Sequence, residues 1–267
     1  MRRVAALLGK EFVDMRQHLA LFLPALLVGL LSIFIPLMVA VIVPYVTGER
    51  LSDSSDFEVA LEMYKKQPEL RSLDPEGAIQ AFIFQYFLVI FTLVPVTVAM
   101  SVAAHAIIGE KQARALEPLL ATPITTFELL GAKVLASLLP AIAITAGTLV
   151  LYMIVVATTA RPGVFLVLIG PRSIALIFVL APLAALAALQ GALCVSSRVN
   201  DPRTAQQIGA FVILPIAGVF IAQIAGAIEL TVPVTLALAA ALVVVNAALM
   251  WVGIRLFDRE TILTRWK

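Results

Sequence analysis

Charge is what this sequence has least of. Only 13% of its 267 residues are Asp, Glu, Lys or Arg, whereas 61% are hydrophobic. Ordinary soluble chains run about 25% charged and about 45–50% apolar. A water-soluble fold of this composition has too little polar surface to coat its core. That excludes a cytosolic enzyme, a nucleic-acid binder and a disordered chain. Cysteine is nearly absent: the single Cys194 excludes an internal disulfide and any cysteine-built zinc or iron–sulfur site. The only two histidines, His18 and His105, fall near span ends without a partner motif. A membrane hydrolase needs a nucleophile with a base, or a metal with several ligands, and neither set is here. No G-x-x-x-x-G-K-[ST] loop occurs either, so the chain has no phosphate cradle of its own.

Long apolar runs are what is present. They fall near 19–46, 80–108, 132–158, 173–196, 206–227 and 231–254. Each meets or exceeds the roughly 20 residues that carry a helix across about 30 Å of hydrocarbon. None shows the alternation of an outer-membrane barrel. The first run is too long for a cleavable leader, and no small-residue cleavage site follows it. The fold class expected is an all-α integral membrane protein with six transmembrane helices. An even number of spans puts both termini on one side. Thirteen Lys and Arg residues fall on that side against six on the other, so the positive-inside bias makes both termini cytoplasmic, in the cell's inner membrane.

The chain divides by composition into an amphipathic segment at 1–18, a permeation domain at 19–257 and a tail at 258–267. In the first, Val4, Leu7, Leu8, Phe12 and Met15 recur at helical spacing with most charges elsewhere on the wheel, the pattern of a helix lying along the cytoplasmic surface. The external loop at 47–79 is acidic, and Ser55 with Glu58 predicts a cap for a short surface helix through Lys66. Thr125 and Glu128 form a capping-box pattern, flanked by Ile124 and Leu129 as a hydrophobic staple. Asp74-Pro75 and Asp201-Pro202 each pair an N-cap acid with proline at the first helical position. Pro24, Pro36, Pro95, Pro140, Pro182 and Pro215 lie inside spans and predict kinks.

No Asp, Glu, Lys or Arg falls in the middle of any span. Ion-coupled carriers usually need such a group near the midplane. The polar residues expected inside the membrane are uncharged: Gln85, Thr92, Thr97, Ser101, Gln190, Gln223 and Asn246. Two roles are open to them, helix-to-helix hydrogen bonding or lining a path.

The segment at 109–133, GEKQARALEPLLATPITTFELLGAK, stands out from the rest. Pro118 and Pro123 bracket an apolar turn, Leu119-Leu120-Ala121, outside the membrane. Exposed leucines on a loop are costly unless something covers them. A partner groove would do so, with Glu110, Lys111, Arg114 and Glu117 fixing orientation; the headgroup boundary is the alternative cover. This segment resembles the coupling loop of membrane subunits of ATP-binding-cassette exporters, type-2 permease family, sodium and drug export branch, whose pattern is GEKE-x-GT-LE-x-LLATP-like. Gly109, Glu110, Lys111, Leu116, Glu117, Leu119, Leu120, Ala121, Thr122 and Pro123 match it. Ala113, Arg114 and Ala115 stand where the family often has Arg-Gly-Thr or Arg-Gly-Ser, so the usual glycine is missing. KEFVDMR at 10–16 resembles the family's interface helix, and SSRVNDPRTAQQ at 196–207 its second cytoplasmic loop.

The resemblance implies a permease subunit rather than an enzyme, exporting a small or hydrophobic substrate by alternating access. Its cytoplasmic coupling loop, 109–131, would seat a coupling helix on a separate ATPase subunit through Gly109, Glu110, Lys111, Arg114, Glu117, Pro118, Leu119, Leu120, Thr122 and Pro123. ATP and Mg would sit on that partner chain, with no cofactor bound here. A second permease copy or paralogue would complete a two-plus-two assembly, in contact with membrane lipid and no nucleic acid. An ATP-independent carrier and a non-transporting membrane scaffold would share the same composition.

Overall fold

A computed structural model describes residues 2–53, 57, 73–112, 126–196, 199, 201, 204, 207, 211 and 213–256. Among these residues the structure is helical, without strands. Helix α1 is Arg2–Gln17. A 3₁₀ turn at Leu19–Phe22 leads into α2, Leu23–Leu37, then a π-helical turn at Met38–Ile42 and α3, Val43–Thr47. Helices α4, Pro75–Phe91, and α5, Leu93–Gln112, follow one another across a break at Thr92. Helix α6 is Thr126–Thr159, α7 is Val164–Leu168 and α8 is Pro171–Ala175. A second π turn, Leu176–Leu180, precedes α9, Ala181–Ser196; α10 is Ile213–Ile224 and α11 is Val232–Leu256.

Five stretches among the described residues are long and apolar enough to cross a membrane: Leu19–Thr47, Pro75–Glu110, Leu130–Thr159, Val164–Ser196 and Val232–Leu256. They correspond to five of the six expected runs. The remaining one, near 206–227, contains α10, whose 12 residues rise about 18 Å, short of a bilayer's hydrocarbon thickness.

The helix starts follow local chemistry. Asp74 caps α4 as its sequence predicts: its carboxylate accepts from the Gly77 N–H at 3.2 Å, with Pro75 in the first turn. Asp201 accepts from the Thr204 N–H at 2.9 Å in the same manner. Helix α6 begins at Thr126 with Glu128 in its first turn; Thr125, the other half of that box, lies outside the described residues. So do most of the acidic loop's expected helix, Ser55 and Glu58 through Lys66, and the tail at 258–267.

Several prolines fall where the helices depart from regularity. Pro36 lies two residues before the first π turn and Pro182 two residues after the second. Pro44 has no N–H to offer the Ala40 carbonyl four residues back. Gln80 Nε2 donates to that carbonyl instead, at 3.0 Å. Gln80 Oε1 also accepts from the Arg161 N–H at 2.9 Å, joining three segments at one buried amide. Beside it Arg161 pairs with Asp74, and Glu76 accepts from the Leu51 and Ser52 N–H groups.

The α4–α5 stretch is the centre of the bundle, with 78% of its most apolar window buried, against 17% for α11. Near α4 the core is aromatic: Tyr152 packs between Phe84 and Phe91 and donates its hydroxyl to the Phe84 carbonyl at 2.7 Å. Along α5 and α9 it is built from small residues. Ala99, Ala103, Ala185, Ala188 and Ala192 are buried there, so the two backbones approach closely and gain packing that lipid cannot supply.

Candidate coupling site

Four charged side chains converge where α1 crosses the ends of α5 and α6. Glu110 lies near the C-terminal end of α5, and Lys133 two turns into α6. Lys133 Nζ lies 2.8 Å from Glu110 Oε2 and 3.1 Å from Glu11 Oε1. It also donates to the Ala106 carbonyl at 3.3 Å. Lys10 Nζ donates to Glu110 Oε1 at 2.7 Å. Lys133 is 2% exposed, and Glu11 and Glu110 are buried as well, while the Lys10 side chain is half-exposed. Taking such ions out of water is expensive, and the site meets that cost by giving each buried charge an opposite partner.

Helix α1 explains how Glu11 reaches the network. Leu7, Glu11 and Met15, four residues apart, share its buried face. The expected amphipathic pattern placed the charges mostly away from that face; Glu11 is the exception, because Lys133 waits opposite. Burial works against the Lys10 ammonium. The hydrogen bond to Glu110 and the charges of Glu110, Glu11 and Asp14 outweigh it and raise the Lys10 pKa above the ordinary lysine value.

Beside the ion network a cavity of about 230 Å³ lies between α1 and α5. Lys10, Glu11, Asp14, His18, His105 and Glu110 supply its polar lining. His18 and His105, far apart in sequence, face each other across it with ring centroids 4.7 Å apart. Two imidazoles alone do not complete a metal site, and no group of three or more ligating side chains occurs among the described residues.

Of the residues expected to couple to a partner, Gly109 and Glu110 lie in α5, and the backbone of Lys111 continues that helix. Arg114, Glu117, Pro118, Leu119, Leu120, Thr122 and Pro123 lie outside the described residues. What sequence reasoning missed is the pairing of Lys10 and Lys133 with Glu110, and of Lys133 with Glu11. The one signal available was Glu11, an acid on an otherwise apolar stripe.

The seven uncharged polar residues of the spans are dispersed. The Thr92 and Thr97 hydroxyls donate back to carbonyls of their own stretch, Val89 and Leu93, each at 2.6 Å. Asn246 Nδ2 donates to the Leu183 carbonyl at 3.1 Å and the Leu242 carbonyl at 2.8 Å. Ser101 and Gln190 are buried within the bundle. Gln85 donates to the Val167 carbonyl at 3.4 Å and shares a small cavity with Gln223. The structure brings only that last pair together around one cavity.

An all-helical bundle with several membrane-length apolar stretches and its buried ion pairs at one end defines a multi-pass membrane protein. The chain belongs to the ABC-2 family transporter proteins, whose family model matches residues 61–249, well over half of its length. No curated protein and no solved structure matches it. The family is that of transporter membrane subunits, permeases that generally work with an ABC ATPase.

Proposed function

We propose that this chain is the permease half of an ATP-driven exporter, with the segment at 109–131 docking on a separate ATPase subunit that holds ATP and Mg. The observation that carries this reading is the buried network of Glu110, Lys133 and Glu11, extended by Lys10. It ties both ends of the segment that links α5 to α6 onto α1. A docking element transmits force only if its root is rigid, and paired, largely buried charges give that rigidity. ATP closes the ATPase pair, the docked segment moves with it, and the bundle shifts between inward and outward openings.

In this reading α10 and the residues before it form the sixth span, both termini are cytoplasmic, and the membrane is the cell's inner one. Two permeases, identical or paralogous, assemble with two ATPases. Back-bonding and helix-to-helix hydrogen bonds account for Thr92, Thr97 and Asn246; of the other four, Gln85 and Gln223 share a cavity and are the strongest candidates for lining a path. The substrate is small or hydrophobic, in keeping with an interior whose polar groups are few and uncharged.

The test is copurification of the ATPase with wild type and with a Leu119→Ala/Leu120→Ala double variant, alongside vesicle transport. At about 0.8 kcal/mol per buried CH₂, removing both side chains weakens docking by a few kcal/mol, roughly a hundredfold or more. The expected result is a normally inserted permease that loses its ATPase. Undiminished retention and transport would reject the docking role.

A further inference from the structure

At the opposite end of the bundle from the ion network lies a second polar cluster that coupling does not use. Arg172 and Ser173 open α8, Gln223 stands in the last turn of α10, and Gln85 projects from α4. With Leu176 and Leu230 they line a cavity of about 10 Å³. Gln223 is 1% exposed, yet neither its amide nitrogen nor its amide oxygen has a hydrogen-bond partner. The Ser173 hydroxyl, also buried, has none, and neither has Arg172 Nη2. Buried polar groups in folded proteins are almost always paired, and unpaired ones gathered in one place call for an explanation. Arg172 is anchored on one side, through a hydrogen bond with the Tyr86 side chain and with its Nη1 4.0 Å from Glu229 Oε1, which leaves Nη2 as its unpaired end.

Three donors, Arg172 Nη2, Ser173 Oγ and Gln223 Nε2, therefore border one cavity, with the Gln223 amide oxygen beside them and Gln85, leucine and valine as the other walls. Donors with a positive charge recognise an oxyanion. The apolar walls suit a hydrocarbon body attached to it. In this conformation the cavity holds about one water, so a larger ligand enters only when the walls part. Leu176, which lines it, opens the π-helical turn Leu176–Leu180, an irregularity often found at functional sites.

We propose that Arg172, Ser173 and Gln223 bind the carboxylate or phosphate head of an acidic amphiphile, and that Gln85 flanks the site. Only the identification of that amphiphile as cargo rests on the permease reading; the head comes either from a transported acid or from a phospholipid.

The test uses the full chain in neutral phosphatidylcholine nanodiscs, with a photoreactive palmitate and a photoreactive hexadecanol as probes and mass spectrometry of the labelled peptides. Palmitate should label the segments around Gln85, Arg172 and Gln223, and hexadecanol should do so about tenfold less. Arg172→Gln and Gln223→Leu should each cut palmitate labelling about tenfold, the loss of about one hydrogen bond to a charged group. Competition by phosphatidylglycerol would assign the head to a phospholipid; persistence of labelling against it would assign it to a free acid. Either outcome supports the site. Equal labelling by the alcohol, no labelling of these segments, or unchanged labelling in both variants would overturn it. Gln223→Leu covers the case in which Arg172→Gln fails to fold: removing an unpartnered amide should leave the melting temperature unchanged or higher. A clear drop would show that the amide is paired and would overturn the proposal. Labelling needs no ATPase, so loss of ATPase copurification and loss of this site are separate results.

Discussion

Glu110 and Lys133 meet at 2.8 Å across the base of the segment that joins α5 to α6. The pair fixes the two ends of that segment relative to each other. Glu11 and Lys10 then fix both to α1. Because three of the four side chains are buried, their attraction acts in a low local dielectric and is little screened by salt. Movement imposed on the segment is thereby shared with α1, α5 and α6.

Lys133→Met should be the most damaging single change in this network. Among the described residues it leaves Glu11 without an ion-pair partner and Glu110 with Lys10 alone. Stranding a buried charge costs about 3–5 kcal/mol, read as a lowered melting temperature in nanodiscs. Adding Glu11→Gln should restore part of that loss. Lys10→Met should cost under about 1 kcal/mol, because that ammonium is half-exposed and screened. The raised Lys10 pKa means its contribution is complete at neutral pH. It fades only as pH rises through the lysine range. A Lys133→Met protein that melts with wild type would show that the network is not holding the helices.

Gln80→Leu tests the junction at the other end. The change strands the Ala40 carbonyl, which Pro44 cannot serve, and removes the acceptor for the Arg161 N–H. An unpaired buried backbone group costs about 1–3 kcal/mol, and the Arg161 N–H belongs to an exposed residue that water can serve, so a destabilisation of about 1–3 kcal/mol is expected from thermal unfolding. A smaller value would mean that water reaches the Ala40 carbonyl as well.

The apolar runs made the membrane class and five of the spans legible, because crossing hydrocarbon demands length and composition above all. Asp74 was legible as a cap, since its chemistry is local. The coupling segment was legible only as a motif. What could not be read was pairing at a distance. Nothing in the local sequence says that Lys133 turns toward Glu11, or that His18 meets His105. Nor does the local sequence show that Arg172 meets Gln223, since that approach exists only once α4, α8 and α10 have packed. The residues near 206–227 are as apolar as a span, and the part of them that is described, Ile213–Ile224, is helical.

Topology separates the five-span and six-span arrangements. Single cysteines at Ser54 and Gln112, in a Cys194→Ser background, should label from opposite sides of intact cells with an impermeant reagent. A third at Thr264 should behave like the one at Gln112 if the stretch containing α10 crosses the membrane, and like the one at Ser54 if it does not. Labelling of both Ser54 and Gln112 positions from outside would defeat the map.

Gln190→Leu and Asn246→Leu should leave ATP-driven transport largely intact. The Asn246 amide donates to backbone carbonyls, which already receive bonds within their helices, and Gln190 is buried in α9. Such interhelical bonds contribute only about 0.6 kcal/mol on average in membranes. Abolished transport with normal assembly would identify either residue as a substrate ligand.

Gly29→Ala examines how tightly α2 packs on α6. A methyl placed on Gly29 would lie 2.8 Å from Thr148 Cγ2, closer than such atoms can approach. Thr148 has little freedom to yield, because its hydroxyl donates to the Ile144 carbonyl at 2.9 Å and the Thr145 carbonyl at 3.0 Å. Rotating the side chain away would sacrifice those bonds. Overpacking of this kind costs about 1–3 kcal/mol, against which the better helix propensity of alanine returns up to about 1 kcal/mol. A net loss of about 1–2 kcal/mol is expected. Thr148→Ser removes the offending methyl and keeps the hydroxyl. The Gly29→Ala/Thr148→Ser double variant should therefore melt above the Gly29→Ala single variant by more than Thr148→Ser alone changes wild type. Strict additivity of the two changes would show that α2 and α6 do not touch at this point.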